Sequence, residues 1–230
     1  MRSILRQALA VGLFVMMSVP PAATAHSLDD LQAQLGENEQ YFEPRNEPAP
    51  DFSLQDAAGN TFRLKDLRSQ VVVLNFVYTQ CPDVCPLHAE TIARVQKMVN
   101  ITPMKDRVTF VTVTTDPVRD TPDILRSYGD DHGLDPANWR FLTSGPERPE
   151  QTRKLAEAFG HKFKVTEDGL QLHGIVTHVI DQNGVWRGNF HGLDFQPVNL
   201  VSFVNALTND RDLHDKPADP SWWTTFRSLF

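Results

Sequence analysis

The chain has 230 residues, 40% of them hydrophobic and 22% charged, and its formal net charge at pH 7 is −7. This acidic balance, without a basic stripe or a basic run, argues against a protein that binds nucleic acid. Because only two cysteines are present, no disulfide framework holds the fold together, and a hydrophobic core must stabilise it.

Residues 1–25 have the pattern of a secretory signal. Arg2 and Arg6 carry positive charge, residues 8–19 are apolar, and residues 23–25 (Ala-Thr-Ala) provide the small side chains of a cleavage site. The apolar segment is shorter than the roughly 20 residues that a membrane-spanning helix needs. We therefore predict an exported, periplasmic protein that is released by cleavage, with an uncleaved, membrane-associated form as the alternative.

Composition divides the remaining chain into three parts. Residues 26–48 are polar and rich in Glu and Gln, and we expect a loosely ordered arm with a short helix over residues 28–35. Residues 49–208 carry the apolar patterns of one domain. Residues 209–230 are first polar and then aromatic. We expect the aromatic tail at 221–230 to fold back onto the domain, with contact to a membrane or to a partner as the alternatives.

Strands and helices alternate along the predicted domain. In chain order, the expected elements are a hairpin over residues 52–64, a strand at 71–78, a helix after the cysteines that includes 89–99, a strand at 108–113, a helix from Pro122, a strand at 139–142, a helix at 149–159, two strands at 174–180 and 185–190, and a helix at 197–207. The strand at 71–78 is apolar on both faces, as at the centre of a sheet. This order predicts an α/β fold, a thioredoxin-like sandwich whose central mixed sheet is flanked by helices, with an added N-terminal hairpin.

Cys81 and Cys85 follow the central strand directly and are the most informative residues of the sequence. Two thiols at positions i and i+4 can lie one above the other if the second begins a helix. Asp83 is the expected helix cap, which places Cys81 just before a helix N-terminus, where the dipole favours a thiolate. Such a pair could bind a soft metal ion, exchange disulfides, or form a structural disulfide in an oxidising compartment. Asp116 and Asp120, further along, are expected as loop and cap residues.

Two redox families fit the local sequence poorly. Thioredoxin-type oxidoreductases separate their cysteines by two residues, whereas three residues separate Cys81 from Cys85. Peroxiredoxins place a threonine three residues before the reactive cysteine and a proline four residues before that threonine. Here Thr79 lies two residues before Cys81, and Leu74 occupies the proline position. We therefore set the peroxiredoxin interpretation aside.

A copper site would need a third donor besides the two thiols. Cu(I) accepts two sulfur ligands and one imidazole, and thiolates select it over hard cations. His173, His178 and His191 surround the closing pair of strands, and His173 and His178 point to opposite faces of a regular strand because their separation is odd. The pattern does not choose between these two. The other histidines are expected at the surface, together with His191: His88, His132, His161 and His214.

Residues 76–86 (Phe-Val-Tyr-Thr-Gln-Cys-Pro-Asp-Val-Cys-Pro) closely resemble the signature of the Sco/SenC family of copper proteins. Residues 50–59 and 115–122 are similar to further segments of the same family, and the resemblance covers about residues 48–207. It implies a thioredoxin-like fold in which two cysteines and one distant histidine bind copper. It also implies that the copper is delivered towards the binuclear copper A centre of cytochrome c oxidase.

The resemblance also implies a ligand set. The family's histidine lies eleven residues before the glycine of the closing turn, and counting back from Gly184 gives His173. Cys81, Cys85 and His173 would then hold Cu(I), and an added oxygen ligand would accommodate Cu(II). The implied partners are the copper-bearing subunit of cytochrome c oxidase or another copper acceptor, and an extracytoplasmic thiol reductant. Two alternatives stay open: a thiol–disulfide oxidoreductase, in which Cys81 and Cys85 are the redox pair without His173, and a copper or redox sensor.

Overall fold

The computed structural model describes residues 28–165, 171–172 and 174–214. The predicted signal, the aromatic tail at 221–230 and His173 lie outside these ranges. The α-helices are α1 (Leu28–Asn38), α2 (Val84–Asn100), α3 (Pro122–His132), α4 (Pro149–Ala158) and α5 (Pro197–His214), with 3₁₀ turns at Leu64–Leu67 and Pro103–Arg107. The strands are β1 (Phe42–Pro48), β2 (Ser53–Asp56), β3 (Thr61–Arg63), β4 (Val71–Val77), β5 (Val108–Thr114), β6 (Trp139–Thr143), β7 (Lys164–Val165), β8 (Gln171–Leu172), β9 (Val176–Ile180) and β10 (Val185–His191).

Eight strands form one mixed sheet in the order β1-β10-β9-β4-β5-β6-β2-β3, and β7 and β8 pair separately. At the centre, β4 is parallel to β5 and antiparallel to β9. Every residue of β4 and β5 is buried. The β-branched and aromatic side chains of both strands suit a position covered on both faces, so the predicted central strand is confirmed.

Successive residues of β4 point to two different cores. Val71, Val73 and Val77 pack in one core with side chains of α1, α2, α3 and α5. Val72, Leu74 and Phe76 pack in the other with side chains of α4 and of the first 3₁₀ turn. We call these the α2 face and the α4 face of the sheet. Of the helices in the described ranges, none combines the length and the apolar character that crossing a bilayer requires.

The predicted N-terminal hairpin is confirmed as β2 and β3, and it extends the sheet through antiparallel pairing of β2 with β6. Its turn depends on Asp56, whose Oδ1 accepts hydrogen bonds from the backbone N–H groups of Ala58 and Asn60, both at 2.9 Å. Gly59 has φ of 83° there, a backbone conformation that favours glycine. Strand β3 of this hairpin is the edge strand of the sheet on the side opposite β1.

Residues 28–48 are not the loosely ordered arm that composition predicted. The short helix is present and extends to Asn38, and β1 pairs antiparallel with β10 as the edge strand of the sheet. The ring centroid of Phe42 lies 5.1 Å from those of both Phe190 and Phe203. The remaining residues of β1 are mostly exposed, and an edge strand tolerates prolines because one row of its N–H groups needs no partner. Its polar composition therefore reflects an edge position and not a lack of structure.

The strand directions bring distant segments to one end of the sheet. Since β9 runs antiparallel to β4, the residues that precede β9 lie at the carboxyl end of β4, where the cysteine segment begins. Since β10 is antiparallel to β9, it ends there too, and α5 begins shortly after it. We call this the cysteine end of the sheet.

Candidate metal centre

The cysteine segment is a tight turn between β4 and α2. The N–H group of Cys81 donates a 3.2 Å hydrogen bond to the Tyr78 carbonyl, and α2 begins at Val84. Asp83 occupies the N-cap position as predicted, but within the described chain its side chain makes no capping hydrogen bond. The backbone N–H groups of Asp83, Val84 and Cys85 instead donate to Sγ of Cys81. The sulfur thus accepts from the N–H groups that a capping side chain would otherwise satisfy, and among the described residues Asp83 holds the predicted N-cap position without a side-chain capping bond.

The two thiols differ in their acidity. Burial raises the pKa of Cys81, but the hydrogen bonds from the Cys85 thiol and from the three N–H groups outweigh burial, so the pKa lies below its ordinary value. Burial raises the pKa of Cys85 far above the ordinary range, and the neighbouring Cys81 adds to that shift. The exposed fraction is 7% for Cys81 and 1% for Cys85. Cys81 is therefore both the more acidic and the more exposed of the two thiols.

Both cysteines are free thiols, and they supply two soft donors in hydrogen-bond contact. Such a pair fits Cu(I), which prefers thiolate ligands. Among the described residues, no group of three His, Cys, Asp or Glu side chains could hold a metal ion. His173 lies outside the described residues and stays a prediction. Its neighbours Gly174 and Ile175 precede β9, and the Ile175 carbonyl accepts a 2.8 Å hydrogen bond from Gly192 N–H.

Asp120, in the loop between β5 and α3, is hydrogen-bonded to the segment that precedes the cysteines. Its buried carboxylate accepts a hydrogen bond from the backbone N–H of Thr79 at 3.2 Å, and from the hydroxyl groups of Thr79 and Thr114. Burial raises the pKa of Asp120 above its ordinary value. Sequence analysis expected only a loop or cap residue here, because nothing in the local pattern shows that this carboxylate crosses to a segment about 40 positions away.

Tyr128 of α3 closes the buried side of the centre. Its hydroxyl lies 3.5 Å from the Cys85 carbonyl oxygen and donates to it. Burial raises the pKa of this phenol, and the two neighbouring cysteines, when ionised, raise it further. The residue therefore stays a neutral donor beneath the two thiols. Sequence analysis did not identify it, because an aromatic residue at a helical core position carries no separate signal.

His178 does not reach the cysteines. It lies beside Leu74 on the α4 face of the sheet, whereas both cysteines pack on the α2 face. Its Nδ1 is 2.8 Å from Asn189 Oδ1, and its Nε2 is 2.9 Å from His161 Nε2. Burial lowers the pKa of His178 well below its ordinary value, and the charge of a protonated His161 would lower it further. Of the two histidines that the pattern left open, this one is a core residue.

His88 and His161 were expected at the surface, and this expectation is wrong. The exposed fraction is 0% for His88 and 5% for His161. His88 lies on the inner face of α2, where the buried positions Cys85, His88, Ala89 and Ile92 follow helical spacing. That spacing was visible in the sequence and outweighs the usual preference of histidine for the surface. His132 is partly buried and His191 is exposed, while the side chain of His214 lies outside what the structure describes.

The chain is similar to known proteins in sequence. The chain matches the family model described as SCO1/SenC over residues 41–208. The match begins just before β1, so it includes the edge strand that composition had set apart as an arm. Among curated relatives, an SCO2-like protein of Rickettsia felis is 27% identical over 161 residues, which cover 68% of this chain and 75% of the relative.

Solved structures share the fold. A SCO1/SenC family lipoprotein of Bacillus anthracis is 28% identical, with a TM-score of 0.65, and covers 72% of this chain and 97% of its own. BsSco, a member of the Sco family of cytochrome c oxidase assembly proteins in which a disulfide switch was identified, is 21% identical, with a TM-score of 0.62 and coverage of 73% and 96%. Copper-bound ScoI of Arabidopsis thaliana is 22% identical, with a TM-score of 0.58 and coverage of 72% and 98%. The shared architecture confirms the predicted thioredoxin-like sandwich.

Proposed function

The chain belongs to the SCO1/SenC family, and on that basis we propose that it is an exported, periplasmic copper metallochaperone that binds copper through Cys81, Cys85 and His173. Copper is bound in the related ScoI, and BsSco is a member of a family of cytochrome c oxidase assembly proteins. The copper is cargo, delivered towards the copper A centre of cytochrome c oxidase. The acceptor is the copper-bearing subunit of that enzyme or another copper protein.

The unequal pair of thiols is the observation that carries this proposal. A metallochaperone needs one donor that captures the ion and a second that holds it without closing the site. Cys81, whose pKa at the start of α2 lies below its ordinary value, is the more readily ionised of the two thiols. Cys85 lies one helical turn further, buried and protonated, and supplies the second sulfur once the ion displaces its proton.

Capture and release then follow from ligand exchange. Cys81 binds Cu(I) first, Cys85 loses its proton to solvent as the second sulfur–copper bond forms, and the neutral imidazole of His173 completes the site. During delivery, a thiolate of the acceptor replaces one protein sulfur at a time, and each released sulfur regains a proton. The copper keeps its oxidation state throughout. A site at the end of the sheet suits this exchange because the acceptor must approach within bonding distance.

The dithiol form is the one that binds copper in this way. In an oxidising compartment the two cysteines form a disulfide unless two electrons and two protons are supplied. The proposal therefore includes an extracytoplasmic thiol reductant as a second partner.

Anaerobic titration with Cu(I), in competition with a chromogenic chelator, tests the proposed site. The reduced protein should bind one equivalent, and His173→Ala should weaken binding by about 10- to 100-fold. His191→Ala is the matched control, because this histidine is exposed and its Nε2 lies 3.0 Å from Glu43 Oε2. Binding in His173→Ala that equals the wild type would overturn the role of His173, and no binding in the wild type would overturn the metallochaperone function.

A thiol–disulfide oxidoreductase is the second candidate, and the same asymmetry of Cys81 and Cys85 favours it. A low-pKa thiol beside a buried one is the arrangement by which a nucleophilic cysteine attacks a disulfide and a second cysteine resolves it. This function needs no histidine. Reduction of a disulfide-bonded acceptor at an unchanged rate by His173→Ala, together with weak copper binding by the wild type, would favour it over the metallochaperone.

A further inference from the structure

A directed contact joins the helix that carries Cys85 to strand β9. Nε2 of His88 lies 2.8 Å from Oγ1 of Thr177, and both side chains are fully buried although 89 positions separate them. His88 is three residues beyond Cys85 on α2. Thr177 is the second residue of β9, four residues beyond His173. The bond therefore joins the helix that carries Cys85 to the strand that follows His173 in the sequence.

Thr177 belongs to a row of polar side chains that crosses the sheet beneath α2. In the strand register, Thr177 of β9 is the partner of Asn75 of β4, and Asn75 is the partner of Thr112 of β5. The Thr112 hydroxyl donates to Asn75 Oδ1 at 3.0 Å and accepts from Trp139 Nε1 at 3.0 Å. Within this row, Thr177 is the residue to which α2 is hydrogen-bonded.

The surroundings give this bond its importance. Around this bond the contact between α2 and the sheet is apolar, with Ala89 and Ile92 in the same core as Val73. Further directed bonds of α2 lie near its C-terminal end, where Gln96 donates to Asn138 Oδ1 at 2.7 Å just before β6. Apolar contacts are non-directional, so they do not by themselves fix the position of β9 relative to the first half of α2. A buried imidazole and a buried hydroxyl are tolerated only when they are hydrogen-bonded, so this pair fixes one position of β9 relative to α2.

We propose that His88 and Thr177 are positioning residues, which hold the beginning of β9 against α2 and so set the spacing between the two cysteine sulfurs and the third copper donor. The inference rests on the proposed function, since it takes His173 as that donor. Asp120 and the N-terminus of α2 hold the cysteine segment itself, whereas the histidine segment depends on β9. The hydrogen bond to His88 makes the two segments one rigid unit.

Thr177→Val tests this inference, because valine keeps the shape of threonine and removes the hydroxyl. Thr112→Val is the matched control: it removes a buried hydroxyl from the same row without touching β9 or His88. His88→Met removes the other partner, and His88→Gln places an amide nitrogen near the position of Nε2. For each variant we would measure Cu(I) affinity by chelator competition and the visible and electron paramagnetic resonance spectra of the Cu(II) form. In the copper-free protein we would measure amide hydrogen exchange of residues 174–180.

We expect Thr177→Val and His88→Met to lose about 10- to 100-fold in Cu(I) affinity and to show altered Cu(II) spectra, as for other residues that orient a metal ligand. His88→Gln should recover most of the Cu(I) affinity and most of the wild-type Cu(II) spectrum. Thr112→Val should bind copper as the wild type does. In the copper-free protein, exchange should accelerate at residues 174–177 in Thr177→Val more than in Thr112→Val. If Thr177→Val does not fold, the comparison of His88→Met with His88→Gln decides the same question.

Wild-type affinity and spectra in both Thr177→Val and His88→Met, alongside weakened binding in His173→Ala, would overturn the inference and leave the proposed function standing. If the wild type binds no copper, the proposed function fails on its own evidence. The hydrogen-exchange measurement then still decides whether the bond between His88 and Thr177 fixes β9. Unchanged exchange at residues 174–177 in Thr177→Val would overturn this positioning role as well.

Discussion

The thiol of Cys85 donates a hydrogen bond to the sulfur of Cys81, so the two cysteines of the centre are unequal before any metal arrives. Cys85, the donor, is the more deeply buried of the two thiols. Sγ of Cys81, the acceptor, also accepts hydrogen bonds from the backbone N–H groups at the start of α2. A single sulfur thus collects the stabilisation that the helix N-terminus offers.

This inequality predicts different reactivity. At pH 7, Cys81 should react with iodoacetamide at least about tenfold faster than Cys85, because the thiolate is the nucleophile and the pKa of Cys85 is raised. The measurement is the time course of labelling at each cysteine, followed by peptide mass spectrometry. In Cys81→Ser, labelling of Cys85 should stay slow up to pH 9. Equal labelling rates at both positions would contradict the assignment of donor and acceptor.

Asp120 should matter more than an exposed carboxylate. Asp120→Ala leaves the hydroxyl groups of Thr79 and Thr114 and one backbone N–H without their acceptor, and each lost partner of a buried polar group costs about 1–3 kcal/mol. We expect the free energy of unfolding to fall by at least about 2 kcal/mol in urea titrations. Asp123→Ala is the control: its exposed ion pair with Arg126 should change stability by less than about 1 kcal/mol. Similar losses in the two variants would show that Asp120 does not hold the cysteine segment.

The buried His178 predicts a pH dependence of stability. In the unfolded chain, histidine takes up a proton below about pH 6.5, whereas the lowered pKa keeps the folded ring neutral. The unfolded state then binds more protons, so the free energy of unfolding falls as pH decreases below about 6.5, by up to about 1.4 kcal/mol per pH unit. Above that pH the ring is neutral in both states and contributes no slope. Urea titrations between pH 5 and 8 measure this, and His178→Phe should reduce the slope; an unchanged slope in that variant would contradict the assignment to His178.

The edge strand β1 should contribute to stability despite its polar composition. Phe42→Ala removes a ring that packs on Phe190 and Phe203, and we expect a loss of about 3 kcal/mol in the free energy of unfolding. Glu47→Ala, at an exposed position of the same strand, should stay within about 0.5 kcal/mol of the wild type. A loss below 1 kcal/mol in Phe42→Ala would restore the interpretation of residues 26–48 as an arm.

The parts that sequence analysis predicted correctly are those with a strong local signal. The strand at 71–78 and the hairpin depend on neighbouring residues, and so does the position of the cysteine pair after a strand and before a helix. The parts that it missed depend on distant residues. Strand β1 exists because β10 offers it an edge. In the described part of the chain, Asp83 is the N-cap residue of α2 without a side-chain capping hydrogen bond because Sγ of Cys81 accepts from the N–H groups at the start of the helix. The pairing of His88 with Thr177 joins segments 89 positions apart, which no local pattern encodes.

The strand order also determines which parts of the sheet are present at each stage of chain synthesis. Cys81 and Cys85 leave the ribosome long before β9 and β10, yet β9 is the direct neighbour of the strand that precedes the cysteines. Until about 100 further residues have followed, that side of β4 is open and Thr177 is not there to meet His88. The neighbourhood of the two cysteines is therefore complete only when the C-terminal strands have joined the sheet.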